Sequence, residues 1–317
     1  MRKIFLSVMS LCFLLNLTVQ QFAHSNSVLA ANSSTLKVLS FNIHYDENFK
    51  PNHLRPIAEY IKANNIEVAG IQELNTSVSY KATPILEQLL REIGYPMYVA
   101  VNPNREIGYF ENAVFSKYPI QDAQYLGQNP CYDGRCRRWA VVTKIATPIG
   151  NVRFVSTHVH HGDDNCQSLA QFAALMAPYQ KEAIIMTGDF NTRVGRCGGF
   201  IENTYNYSCV DQKNCLNDSI DWVFLSKSNT LLEQVYRIKD PKFTVSDHSP
   251  IIAEIRSTVP LKQGDLDNDG DVDVFDYNTL LGKFGATGAP GFHPADIIQN
   301  GAVDIFDYNK LVESFGK

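Results

Sequence analysis

The amino-acid sequence predicts an α/β (α+β) protein in which two mixed sheets pack together with helices outside them, followed by a small helical module. Three observations carry this. Short apolar strand-like segments alternate with amphipathic helical ones through most of the chain. Several strands are joined by short turns and no Gly-x-Gly-x-x-Gly occurs, which argues against a single doubly wound sheet. The core pattern stops around Arg256 to Gln263, and 317 residues at 44% hydrophobic content suffice for one large core and a small second domain.

Taken in order, Arg2 and Lys3 precede an apolar run from Ile4 to Leu17, and Val28-Leu29-Ala30 offers small residues for cleavage before Ala31. Residues 1–30 therefore read as a signal peptide, and the run is shorter than the ~20 residues of a spanning helix. No later segment is apolar enough to span. Leu36 to Ile43 reads as a strand, His53 to Asn64 as a helix, Ile66 to Leu74 as a strand and Pro84 to Gly94 as a helix. Asn112 to Ser116, Ala140 to Ala146 and Val152 to His158 read as strands, and Ser168 to Gln180 as a helix. Ala183 to Thr187, Ile220 to Leu225 and Ser249 to Ile255 complete the strand set, giving a domain over residues 31–258.

Removing Cys12 with the signal leaves Cys131, Cys136, Cys166, Cys197, Cys209 and Cys215, an even set that suits an oxidising, extracellular compartment. None has Cys-x-x-Cys spacing, so a zinc site is not indicated, and Cys131 with Cys136 is the preferred pair among many connectivities. The net charge is −5, but ten acids against three lysines fall within residues 263–317. The segment between signal and module is near neutral and lacks the broad basic field of proteins that rely on non-specific phosphate contacts, so any nucleic-acid binding is local.

Polar residues collect at the strand ends: Asn42, Glu73, His158, Asp189, Asn191, Asp221, Asp247 and His248. Ser40-Phe41-Asn42, Ile71-Gln72-Glu73, Thr157-His158, Gly188-Asp189-Phe190-Asn191, Ile220-Asp221-Trp222 and Ser246-Asp247-His248-Ser249-Pro250 follow one another in an order that resembles the endonuclease/exonuclease/phosphatase superfamily. That resemblance implies a four-layer α/β sandwich and metal-assisted attack of water on a phosphate ester. Magnesium (or manganese) prefers a few carboxylate oxygens and keeps positions open for water and phosphate. Glu73 is the first expected metal ligand and Asp247 a second. Asn42 is expected to hydrogen-bond the phosphate or a metal-bound water and is counted with Glu73 and Asp247 as a metal ligand. Asp189 and Asn191 would flank the attacking or leaving oxygen. His248 with Asp221 matches an imidazole oriented by a carboxylate, a proton acceptor near neutral pH. The same logic makes Glu111 the partner of His158. His160 and His161 read as loop neighbours, His44, His53 and His293 as surface or turn residues, and Trp139 and Trp222 as packing.

Within the superfamily, Cys131 to Cys136 followed by Arg137-Arg138-Trp139-Ala140 resembles the deoxyribonuclease I group, where an arginine after a short cysteine loop grips the substrate phosphate. Arg137 is the closer match by spacing, and Arg138 is adjacent. Cys197 and Cys215 resemble positions of a disulfide in that group. DNA is the expected substrate. Ile220 to Phe224 and the His160-to-Asp164 stretch also suit phospholipid-cleaving and phosphate-releasing members, though no apolar hairpin lies between Asn102 and Glu111. An inactive surface scaffold or adhesion component is the remaining class, opposed by the complete set of acids and histidines.

After a linker at 259–263, Asp265, Asp267, Asp269, Asp271, Asp273 and Asp276, with Gly270 for the turn, follow the spacing of an EF-hand calcium loop. Val272-Asp273-Val274-Phe275-Asp276-Tyr277-Asn278 returns as Val303-Asp304-Ile305-Phe306-Asp307-Tyr308-Asn309, so residues 264–317 hold two loop-helix units. The duplication, with Asp at position twelve, resembles a type I dockerin, a small all-α, calcium-binding module that implies a cohesin-bearing scaffold partner. In the second loop Ile298 takes a ligand position, leaving Asp296, Asn300, Asp304 and Asp307, so weaker or no calcium is expected there.

Overall fold

The computed structural model describes residues 35–45, 52–75, 81–102, 110–132, 135–162, 165–193, 196–197, 205–206, 219–258, 262–266, 271–288 and 293–316. The signal segment, Asp267, Asp269, Gly270, Cys209 and Cys215 lie outside these residues.

The first sheet has the order β11-β12-β1-β2-β4-β3. Its strands are β1 (Thr35–Asn42), β2 (Val68–Asn75), β3 (Tyr98–Val101), β4 (Phe110–Ser116), β11 (Leu232–Lys239) and β12 (Ile251–Ser257). The second has the order β5-β6-β7-β8-β10-β9. It is built from β5 (Ile120–Tyr132), β6 (Arg135–Thr147), β7 (Gly150–His158), β8 (Ile184–Asp189), β9 (Tyr205–Asn206) and β10 (Asp221–Ser226). β1 with β2 and β7 with β8 pair in parallel, and the remaining pairs are antiparallel, so both sheets are mixed.

Strand alternation explains the layers. Val38, Val68 and Val114 face Val141, Phe154 and Val223 in one cluster between the sheets. Their neighbours Leu39, Phe41, Ala69 and Phe115 face the other way, onto α1 (Leu54–Ala63) and α2 (Ala82–Glu92). In α1 the residues Leu54, Ile57, Ala58 and Ile61 recur at helical spacing and are all buried. Val142, Val155 and Met186 turn outward onto Leu169, Phe172 and Met176 of α3 (Asn165–Met176). Helix, sheet, sheet and helix are the four layers of the sandwich. The sheets touch closely at Gly70, where an added Cβ would sit 1.9 Å from Thr187 Oγ1.

Residues beyond Gln263 make a separate small core of Leu266, Val272, Leu280, Ala295, Val303 and Leu311. Two helices supply it, α4 (Val274–Leu281) and α5 (Ile305–Ser314), each opened by a capping box, Asp273 with Asp276 and Asp304 with Asp307. Tyr277 and Tyr308 meet edge to face with centroids 6.2 Å apart.

Candidate active site

Register and strand direction gather the polar strand ends on one rim. Asn42 is paired with Gln72 at the ends of parallel β1 and β2, and Leu74 with Glu111 at the start of antiparallel β4. His158 and Asp189 end parallel β7 and β8, while Asp221, the partner of Asp189, begins antiparallel β10. Ser40 pairs with Ile251, which places the Asp247-His248 loop at the same end.

Asn42 joins the two sheets. Its amide nitrogen lies 3.1 Å from both Glu73 Oε1 and Asp189 Oδ2, while its oxygen accepts the N–H of His44 at 3.1 Å. The side that faces the site is therefore the NH2, a donor to an anion; direct metal ligation by Asn42, one of its expected roles, is not the observed orientation. Glu73 sits at the β2–β4 register shift with φ 60°, left-handed backbone that is costly for a side chain with a Cβ and concentrates at functional sites. The bulge re-aims its carboxylate, whose Oε2 accepts the N–H of Tyr45 at 3.0 Å.

His158, 2% exposed, has Nδ1 2.8 Å from Arg138 Nη1. A guanidinium only donates, so Nδ1 accepts and the ring proton sits on Nε2. That atom lies 3.3 Å from Asp189 Oδ2 and 3.8 Å from Glu73 Oε1. Asn191 Nδ2 lies within hydrogen-bond distance of the same nitrogen, at 3.0 Å, and donates to Val159 O at 2.9 Å. Asn191 also has φ 51° and donates its N–H to Asp189 Oδ1 at 2.8 Å, which fixes that carboxylate.

His248 is held in the opposite way. Its Nδ1 lies 2.8 and 3.0 Å from the two oxygens of Asp221, and its Nε2 is 3.8 Å from Asp189 Oδ2. Burial works against the charged ring, but the hydrogen bond and charge of Asp221, with Asp189 and Asp247 beyond, outweigh it and lift the imidazole to about 9. With that upward shift the ring favours its protonated form in the metal-free protein, the state in which it can give a proton. Burial favours the charged form of Asp189 no more than it does the ring's, yet His158, His248 and the Asn191 N–H hold this carboxyl below its usual range. Burial pushes Asp221 the other way, upward, with the imidazolium opposing; the 2.8 Å contact is that of an ion pair.

Other expectations fare unevenly. Glu111, expected beside His158, accepts a hydrogen bond from Thr83, and Arg138 is the side chain seen on His158 Nδ1. Arg138 is 6% exposed, and burial lowers its guanidinium to about 10 against the pull of Glu73 and Asp189. The Arg137 side chain lies outside the described residues. Asp247, with its side chain 62% exposed, stands at the edge of the site, 3.6 Å from His44 Nδ1. His53, expected at a surface or turn, lies in the bend before α1 and is buried with Nε2 3.0 Å from Ile43 O, and Trp222 packs in the core. Cys197 bonds Cys166, not Cys215 as the deoxyribonuclease I resemblance suggested. The reason is local: Asn165 ties the start of α3 to both site loops through His160 O at 2.6 Å and Phe190 O at 3.0 Å. Cys131 and Cys136 are register partners across the β5–β6 hairpin. Sequence reasoning gave no part to Ser246, which donates to Asn42 O at 2.8 Å and accepts the His248 N–H at 3.1 Å. Its place in Ser-Asp-His was the available signal.

Oxygens of Glu73 and Asp189 lie with a nitrogen of His158 within 4.8 Å of one another. Two carboxylates beside a ring whose facing nitrogen carries a proton form an oxygen-rich donor set, which fits a hard divalent cation.

The model of the endonuclease/exonuclease/phosphatase family matches residues 39–248. The chain belongs to this family. Its hydrolases act on phosphate esters. Among solved structures, an endonuclease/exonuclease/phosphatase from Beutenbergia cavernae is similar at 16% identity and TM-score 0.56, over 71% of this chain and 72% of that one. One from Bacteroides vulgatus gives 18% and 0.52, over 70% and 98%. The catalytic domain of human Nocturnin with bound sulfate gives 14% and 0.53, over 71% and 98%. At these identities the likeness is one of fold. No curated protein matches the sequence.

Proposed function

We propose that the chain is a secreted, divalent-metal-dependent phosphodiesterase, a deoxyribonuclease I-like endonuclease acting on DNA, attached to a scaffold through its C-terminal module. The observation that carries the reading is the pair of imidazoles around Asp189, one fixed as an Nε2–H donor by Arg138 and one charged by Asp221. Hydrolysis adds water across one P–O bond. Asp189 takes the proton that the attacking water loses, the Asn42 amide and His158 Nε2–H donate to non-bridging phosphate oxygens, and His248 supplies the proton that the leaving oxygen gains, so one proton is taken and one given. Glu73 and Asp189, with Asp247 at the edge, would hold Mg2+ or Mn2+, which when bound neutralises phosphate charge. Arg138 holds His158 through Nδ1, and Arg137, its neighbour in β6, is proposed to contact the substrate phosphate. The test incubates the protein with supercoiled plasmid, sphingomyelin vesicles and a soluble phosphate monoester, each with magnesium or EDTA. Magnesium-dependent nicking lost in His248→Ala supports the endonuclease; turnover of vesicles or monoester alone overturns it for another phosphate ester of the family.

Residues 264–317 are proposed as the dockerin-like module. Asp265, Asp271, Asp273 and Asp276, with Asp267 and Asp269, would hold calcium in the first loop. Oxygens of Asp271, Asp273 and Asp276 lie within 4.8 Å of one another. In the second loop Asp296 accepts the N–H groups of Asn300 and Gly301, and Asp307 those of Ile298 and Asp304. Val274, Phe275, Ile305 and Phe306 are more than half exposed at the two helix starts, a face suited to a cohesin. Calcium titration followed by circular dichroism, and pull-down with cohesins, test it: a module indifferent to EGTA sinks the calcium reading. Among the described residues no helix is long and apolar enough to cross a membrane.

A further inference from the structure

Arg237 belongs to none of the motifs above, yet it bridges the two halves of the His248–Asp221 pair. Those halves come from different sheets. Asp221 opens β10 in the second sheet, and His248 rides on the loop between β11 and β12 in the first. That loop is closed at its base by Asp240 N–H to Pro250 O at 3.0 Å. A 2.8 Å contact between groups on separate sheets needs something to hold the sheets in step at that point.

The ladder leaves an opening there. Phe190 N–H bonds Ile220 O, so Ile220 and Phe190 form the hydrogen-bonded pair, and the next pair, Asp221 with Asp189, is the non-bonded one. The carbonyl of Asp221 therefore points away from β8, toward the side of the sheet where β9 pairs only with Leu225 and Ser226. Two side chains meet it instead: Ser219 Oγ at 2.7 Å and Arg237 Nη2 at 3.1 Å. Arg237 reaches from β11, three residues before the loop that carries His248, and its guanidinium lies over the Trp222 ring at 4.7 Å from the centroid. An arginine suits this place because one planar group donates a hydrogen bond and stacks on an aromatic face together.

We propose that Arg237 is a positioning residue for the reaction: by bonding the Asp221 carbonyl and covering Trp222 it fixes Asp221 against His248. The role rests on the phosphodiesterase reading, and one arm of its test does not. Arg237→Met keeps the stem and its packing but removes the donor and the charge; Arg237→Lys restores a donor and a charge. In metal-free protein the His248 Nδ1–H proton, hydrogen-bonded to Asp221, is read by low-field NMR and assigned by its loss in His248→Gln. The expected result is that Arg237→Met weakens or shifts this signal while thermal unfolding stays cooperative, and that Arg237→Lys recovers part of it. With plasmid as substrate and magnesium present, Arg237→Met lowers kcat about tenfold with KM within about twofold, since it alters the arrangement that acts in the transition state and not substrate contact. An unchanged signal in Arg237→Met overturns the proposal, whatever the activity. A wild type that cleaves no phosphate ester overturns the phosphodiesterase reading and leaves the NMR arm to decide the positioning.

Discussion

His158 and His248 both turn Nε2 toward Asp189 Oδ2, at 3.3 and 3.8 Å, but their Nδ1 atoms meet opposite charges, Arg138 in one case and Asp221 in the other. A carboxylate on Nδ1 raises the ring's affinity for a second proton; a guanidinium there demands a lone pair and sends the single proton to Nε2. Two side chains of one kind, a few ångströms apart, are thereby given different tasks by the residue behind each. Asp189, shared between them, is kept ionised by their joint presence and by the Asn191 N–H.

Deleting each ring in turn separates their tasks most directly. His248→Ala is expected to lower kcat for phosphodiester cleavage by about 10³-fold, in the range of a lost general acid or base. His158→Ala is expected to act through a lost hydrogen bond to phosphate and to cost less; equal losses in a nicking assay would erase the division of roles. Asp221→Asn comes next, with an expected loss of about 10²-fold. It also removes the charge that lifts His248 to about 9, so in metal-free protein the ring should titrate closer to its ordinary 6.5 by NMR.

Arg138→Met sharpens the other half. Freed from the guanidinium, His158 can place its proton on either nitrogen, and imidazole 15N shifts should change from one tautomer to a mixture, with about a tenfold loss of kcat. The smallest effect is on stability against pH. Because His248 has a folded value above its unfolded one, its pairing stabilises fully below about 6.5 and that contribution fades as pH rises through about 9. Urea unfolding of metal-free protein should show wild type losing stability relative to His248→Gln between pH 6.5 and 9.5; parallel curves would mean that the ring is not charged.

Legibility in the sequence followed burial. The strands that lie inside the sheets, such as β1, β2, β7 and β8, are near-continuous apolar runs, and their predicted bounds agree with the observed ones to within about two residues. β3, β5, β9 and β11 went unread. β5 and β11 carry Asp122, Gln124, Glu233, Gln234 and Arg237 among their apolar residues and form sheet edges, where one side of the strand needs no apolar pattern. Missing β11 also hid Arg237, whose meaning depends on a strand in the other sheet.

At the site the same rule held. The chain order of Asn42, Glu73, His158, Asp189, Asn191, Asp221 and His248 could be read from short motifs, because each motif is a strand end followed by a polar residue and needs only local pattern. The partner of His158 could not. Glu111 and Arg138 both lie near the starts of their strands, β4 and β6, and only the packing of β6 against β7 and the side-chain direction at Arg138 put a guanidinium on Nδ1.

The sequence by itself determined two layers of information: alternation and helical spacing that divide the chain into strands and helices, and the identities of the groups that can bind a cation, donate a proton or hold a phosphate. Tertiary structure alone decided which groups face one another. It chose Cys166 as the partner of Cys197, turned the Asn42 amide so that its NH2 faces the carboxylates, and placed Asp221 within 2.8 Å of His248. The physical reason is that charge and tautomer are properties of pairs: an imidazole becomes a cation or a neutral donor according to the group on its far nitrogen, and that group arrives from a strand distant in the chain.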